Sequence, residues 1–172
     1  VLFRSVQFSA EKLKTIALTP IEDLKNDLTE DNFCGGVAGT NYKAAFEEAT
    51  ELLKKETGTK VLYLISDGLP TEGGGGDRGN FPRHLDAAEA AADAMRSAVS
   101  NLTFNTVFLQ GETTPDDADV DPKTFLDKLT GSADRVKIAD KADDLSEEIL
   151  ALKSPPVDLD TAKSTEIGRA HV

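Results

Sequence analysis

The sequence predicts an α/β fold, a largely parallel sheet held between two layers of helix, and three observations predict it. Lys60–Gly68 reads KVLYLISDG, and Val61–Ile65 is an unbroken apolar run rich in strand formers. Such a run is the mark of a strand buried on both faces, as in parallel sheets covered by helices. From Lys60 onward, strand and helix patterns alternate, which is the order of a doubly wound, Rossmann-like sheet with right-handed crossovers as the default. The chain has 172 residues, 39% hydrophobic and 29% charged, which suits one domain with a real core.

The elements follow in order. Val6-Gln7-Phe8 alternates as the tail of a strand, and Leu13–Leu18 is a short strand candidate. Thr19-Pro20 reads as a helix start, with Pro at the first helical position and Ile21, Leu24 and Leu28 at helical spacing behind it. Residues 32–39 form a loop with three glycines, Gly35, Gly36 and Gly39. Thr40–Thr57 is the clearest helix: Tyr42, Ala45, Phe46, Ala49, Leu52 and Leu53 make one apolar stripe. Thr40 is placed to cap it, and Gly58 to stop it.

After the strand at 60–67, residues 69–82 carry four consecutive glycines, 73–76, and read as a flexible loop. The loop lacks the Lys-Ser/Thr ending of a phosphate loop. Arg83–Ser100 predicts a helix, Leu102–Leu109 a strand, Pro122–Leu129 a helix, Arg135–Ile138 a short strand and Ala142–Leu152 a closing helix. The domain therefore spans residues 6–153, and a polar, proline-bearing stretch at 154–165 reads as a linker.

Both ends stand apart. Val1–Ser5, VLFRS, translates GTGCTCTTCCGATCT, and Glu166–Val172, EIGRAHV, translates GAGATCGGAAGAGCACACGTC. The first string is the reverse complement of a stretch inside the second, and that shared stretch matches a sequencing adapter. Residues 1–5 and 166–172 are therefore expected to be adapter-like additions, left out of the fold argument as any scar is.

Composition narrows the partners. The formal net charge is −12, with 31 acidic and 19 basic residues. Phosphate contacts need clustered Lys and Arg, so nucleic acid and anionic membranes are disfavoured while divalent cations suit. No apolar run is long enough to cross a bilayer. One cysteine, Cys34, excludes an internal disulfide and a multi-cysteine metal site, and with no nearby base it offers no nucleophile.

Two loops carry the chemistry. Gly39-Thr40-Asn41 opens the amphipathic helix, and Ser66-Asp67-Gly68 closes the central strand, at the sheet edge where open α/β folds place ligands. A hydroxyl and a carboxylate are hard oxygen ligands suited to Mg²⁺, Mn²⁺ or Ca²⁺. Taken singly, Thr40 fits a helix cap and Asp67 a turn former ahead of glycine. Asp116–Asp121 resembles the opening of a calcium loop, but Pro122 and Lys128 stand where that loop needs Gly and Glu, so a solvated acidic loop is expected. Asn101-Leu102-Thr103 is a sequon that runs into a strand and carries little weight. His84 is a lone histidine beside the glycine loop, and no triad is expected around it.

VAGTNYKAAFEEA followed by VLYLISDGLPTEG resembles a von Willebrand factor type A domain, and the likeness in element order covers about Val6–Leu152. The resemblance implies a metal-ion-dependent adhesion site in which Thr40 ligates the ion directly or through water and Asp67 acts through water. It also implies an extracellular or cell-surface setting and a protein ligand that supplies a carboxylate, in a binding module for cell adhesion rather than an enzyme. The family's first metal loop, Asp-x-Ser-x-Ser, occurs nowhere in the chain, and the central strand that precedes it is missing too. Metal binding by this chain is accordingly expected to be weak.

Two other readings stand beside it. One is an enzyme of Mg²⁺-dependent phosphoryl transfer or hydrolysis with Asp67 on the metal, for which only Arg78 and Arg83 lie near. The other is a metal-free scaffold of the same fold. The missing strand has a structural consequence as well. The strand at 61–66 is expected to keep one unpaired edge, with the Val6–Leu18 strands split off into a sheet of their own. A long apolar edge of that kind is expected to make the chain unstable or to draw it into association.

Overall fold

The computed structural model describes residues 2–8, 12–20, 39–75, 81–110 and 120–152. Strands β1 (Leu2–Phe8) and β2 (Lys12–Pro20) form an antiparallel hairpin, with Ser5 opposite Ile16 and Val6 opposite Thr15. Strands β3 (Lys60–Ser66), β4 (Leu102–Leu109) and β5 (Val136–Ala139) form a separate parallel sheet in that order. Helices α1 (Tyr42–Leu53), α2 (Phe81–Ala98), α3 (Pro122–Thr130) and α4 (Leu145–Ala151) flank it. The α/β class and the parallel sheet stand as the alternation of patterns predicts.

Strand boundaries follow the sequence closely in the parallel sheet and less well in the hairpin. Thr19-Pro20 does not start a helix: Thr19 pairs with Phe3 and Pro20 with Leu2. The residue before a proline is pushed toward extended backbone. A proline at the end of an edge strand loses no ladder bond, so the pair continues β2 instead of breaking it. The helix expected at Ile21–Leu28, Cys34 and the remainder of the first glycine loop lie outside the described residues. The hairpin also takes in Leu2–Ser5, which were expected to stand outside the domain.

Each face of the parallel sheet has its own cover. The register sets Leu62 beside Phe104, Leu64 beside Thr106 and Phe108 beside Ile138. On that face Leu64, Phe104, Phe108 and Val136 pack against Phe46 of α1, Met95 of α2 and Phe125, Leu126 and Leu129 of α3. Phe46 meets Phe104 edge to face at 5.4 Å. On the opposite face Val107 and Ala139 pack with Leu152 behind α4, joined by Tyr63, Leu109, Leu145 and Ile149. That second cover reaches β4 and β5 but leaves Val61 and Ile65 of β3 exposed. Alternation of side chains along a strand makes one apolar run serve both faces, and here only one of the two is fully covered.

The helices end where local chemistry stops them. α3 is capped by Asp121, whose carboxylate accepts from Thr124 N–H at 2.9 Å and from the Thr124 hydroxyl at 2.6 Å. Those bonds hold the Asp121 carboxyl below its ordinary range, the Thr124 hydroxyl bond contributing most. The last aspartate of the acidic run is thus a helix cap, while Asp116–Asp119 lie outside the described residues. α2 begins two residues ahead of the expected Arg83, at Phe81, with Pro82 in its first turn. It gives way to Asn101, whose φ of 54° turns the chain into β4. Among the described residues no helix is long and apolar enough to cross a membrane.

The core assignment sets an expected contrast in stability. Phe46→Ala removes a buried ring and should cost about 4 kcal/mol, while Ile65→Ala on the exposed face should cost less than about 1 kcal/mol. Urea denaturation of the two variants measures both, and equal losses would contradict the one-sided burial of β3.

Candidate functional site at the carboxyl end of β3

Three short segments meet where β3 ends. Ser66 closes the strand, Asp67 and Gly68 turn the chain, and buried Leu69 and Pro70 carry it inward. The turn is held by the Ser66 hydroxyl, which donates to Gly68 O at 3.1 Å and accepts from Gly68 N–H at 3.4 Å. Asp67 stands exposed at its tip. An aspartate between Ser66 and Gly68 does not need its own carboxylate to make the turn, because Ser66 already does so.

The start of α1 is tied to the residues after that turn. Thr40 N–H donates to Thr71 Oγ1 at 2.9 Å. Thr40 C=O accepts from Thr71 N–H at 2.9 Å and from Glu72 N–H at 3.1 Å. These bonds pin the Thr40 main chain from both sides, across thirty-one residues of sequence. Its hydroxyl lies over the turn: a Cβ built on Gly68 would sit 3.6 Å from Thr40 Oγ1. The sequence-predicted residues Thr40 and Asp67 therefore belong to adjoining loops at one end of the sheet.

Thr40 is not the helix cap. Asn41 is, its Oδ1 accepting from Ala44 N–H at 3.0 Å. Asparagine caps at least as well as threonine, and once Asn41 takes the orphan amide the Thr40 hydroxyl is released from that duty. The cap was legible in principle, since Asn41 stands directly before the apolar stripe that begins at Tyr42.

Tyr42 locks the two loops together. It is fully buried, and its hydroxyl donates to Gly68 O at 2.6 Å. Burial pushes its phenol far above the usual range; the Ser66 hydroxyl works the other way, and the nearby Asp67 charge adds to the rise. The sequence marks Tyr42 only as a member of the core stripe. A buried tyrosine needs a partner for its hydroxyl, and that requirement is the signal that pointed beyond packing.

The glycine loop is built, not slack, over the part described. Gly73 has a φ of 102°, and a Cβ there would fall 2.7 Å from Asn41 Oδ1. At Gly74 a Cβ would fall 2.3 Å from the Arg83 carbonyl oxygen, so only glycine lets the loop lie on the first turn of α2. Gly74 N–H donates to Nδ1 of His84, which is fully buried. The lone histidine of the sequence thus anchors the loop, and Nδ1 is the acceptor nitrogen of its ring. Residues 76–80, with Arg78, lie outside the described residues.

The donor set suits a hard cation in kind but is small in number. Thr40 offers a hydroxyl and Asp67 a carboxylate, both oxygen ligands. Among the described residues there is no group of three or more His, Cys, Asp or Glu placed to hold a metal. Comparisons with protein-family models, with curated proteins and with solved structures found no match to this chain.

Tyr42 gives the site a testable pH signature. A phenol whose folded pKa is raised contributes stability that is complete below the unfolded value of about 10 and is lost as pH rises beyond it. Stability measured by urea denaturation should therefore fall above about pH 10, and Tyr42→Phe should flatten that fall. The same variant should cost about 1 kcal/mol at neutral pH through the lost bond to Gly68 O. An unchanged alkaline slope would remove Tyr42 from the account.

Proposed function

We propose that this chain is a von Willebrand factor type A-like binding module, in which Thr40 and Asp67 face a divalent cation that receives a carboxylate from a protein partner. The observation that carries the reading is the release of Thr40: Asn41 caps α1, and the Thr40 hydroxyl lies over the turn that bears Asp67. Asn41, directly before the helix, takes its end, so the Thr40 hydroxyl is not spent on capping.

Each residue has a defined part. Asp67 supplies the negative charge, exposed at the tip of its turn. Thr40 supplies a neutral oxygen whose backbone cannot drift, because Thr71 and Glu72 hold it from the other side. Tyr42 and Ser66 both spend hydrogen bonds on Gly68 O, which fixes the direction in which the turn presents Asp67. When bound, Mg²⁺, Mn²⁺ or Ca²⁺ supplies a positive point on a surface whose net charge is −12, and so lets an acidic group approach. With two protein ligands the remaining coordination falls to water and to the partner, which makes binding weak without a partner present.

Paramagnetic broadening tests this directly. Adding Mn²⁺ to the ¹⁵N-labelled protein should broaden the amide signals of Thr40, Asp67 and Gly68 first, with an affinity on the order of 1 mM. Asp67→Ala should abolish the effect and Thr40→Ala should weaken it several-fold. Broadening centred elsewhere, or tight binding that survives Asp67→Ala, would overturn the proposal.

A further inference from the structure

His84 takes no part in the cation site proposed above, yet the main chain leads from one to the other. It lies in the first turn of α2, fully buried, and its Nδ1 accepts from Gly74 N–H at 3.1 Å. Gly74 stands between Gly73, with a φ of 102°, and Gly75, with a φ of 72°. A glycine main chain has the widest choice of conformations, so its course here depends on what holds it. Anchors stand on both sides of Gly73. Upstream, Thr71 N–H and Glu72 N–H donate to Thr40 O, and Thr71 Oγ1 accepts from Thr40 N–H. Downstream, Gly74 N–H is held by His84. Gly73 alone separates the segment that grips Thr40 from the residue that His84 grips.

We infer that His84 is a positioning residue for the cation site, and that a proton on its ring loosens the Thr40 side of that site. The inference rests on the cation reading given above. An imidazole nitrogen accepts a hydrogen bond only while it carries no proton. Once protonated, Nδ1 is a donor set against the Gly74 donor, and the tie becomes a repulsion. The segment Thr71-Glu72 then keeps its bonds to Thr40 but loses its downstream anchor. With it goes the fixed frame that keeps the Thr40 hydroxyl over the Asp67 turn. Histidine is the side chain that ordinarily makes this change between about pH 5 and 8. Other titratable and charged groups stand on the elements around it. On α1, Lys43 pairs with Glu47 at 3.7 Å. On α2, Arg83 and Asp86 are exposed, Asp93 pairs with Arg96, and Glu89 pairs with Lys128 of α3 at 3.4 Å. On α3, Lys123 pairs with Asp127 at 3.0 Å. In the loops, Glu72 is half-buried and Asp67 exposed. A variant that removes only the imidazole separates their titration from that of His84.

Two nuclear magnetic resonance measurements on the labelled chain test the inference. Without cation, the His84 ring and the amides of Gly74, Glu72, Thr71 and Thr40 should move with one shared midpoint between about pH 8 and 5. With Mn²⁺, equal broadening at Thr40 should need about fivefold more cation near pH 5.5 than near pH 7.5, the factor that one net hydrogen bond is worth. His84→Asn keeps an acceptor oxygen near the place of Nδ1 and takes up no proton. It should retain the affinity measured at the higher pH and lose most of the fall; the slope left in it belongs to Asp67 and the other carboxylates. A His84 ring that titrates while the Gly74 amide stays still would overturn the inference. So would a ring that takes no proton across that range, or an equal fall in His84→Asn. Should His84→Asn lose its fold, the shared midpoint in the unaltered chain decides alone. A shared midpoint with no broadening at any pH would remove the cation reading and leave the tie from His84 to Thr40 standing.

Discussion

Tyr42 is where four parts of the molecule meet. Its ring contacts Phe8 of the hairpin at 5.9 Å, Phe46 of its own helix at 6.0 Å and Phe125 of α3 at 6.3 Å. Its hydroxyl reaches the Gly68 carbonyl at the end of β3. One side chain therefore joins the separate two-stranded sheet, two helices and the turn that carries Asp67. A phenol can do this because its body is apolar and its tip is polar, so it fills a core and satisfies a buried carbonyl at once. Phenylalanine would keep the ring contacts and leave Gly68 O with only the Ser66 hydroxyl, loosening the turn while the core stayed packed.

From that anchor the carboxyl end of β3 is assembled by main-chain bonds more than by side chains. Thr40 and the segment Thr71-Glu72 hold one another through three hydrogen bonds, and Gly74 rests on the first turn of α2. Exposed Asp67 is thus mounted on a frame whose rigidity comes from elsewhere, which is how a loop residue obtains a defined position. The glycines at 73 and 74 serve close approach, not flexibility, because a Cβ at either would strike Asn41 or Arg83.

The sheet itself is lopsided. Three helices cover one face, and the short α4 packs on the other over β4, β5 and Tyr63 of β3, with Val61 and Ile65 left exposed. Among the described residues β3 has a strand on one side only, and Val61 and Ile65 are the exposed large apolar residues of the sheet.

Sequence alone determined the α/β class, the order of elements from Lys60 onward and the core stripe of α1. Each of these rests on periodicity or on uninterrupted apolar runs, which are local and survive without knowledge of neighbours. The pairing of Thr40 with the Asp67 turn was legible as two loops that an α/β arrangement brings to one sheet end. What the sequence left open were choices between adjacent or competing residues. Asn41 rather than Thr40 caps α1, Thr19-Pro20 extends a strand rather than opening a helix, and His84 anchors a loop that composition marks as slack. Tertiary structure decided these because each depends on which partner lies across space. A threonine, a proline or a histidine has several acceptable local states of similar energy, and a single long-range bond is enough to select among them.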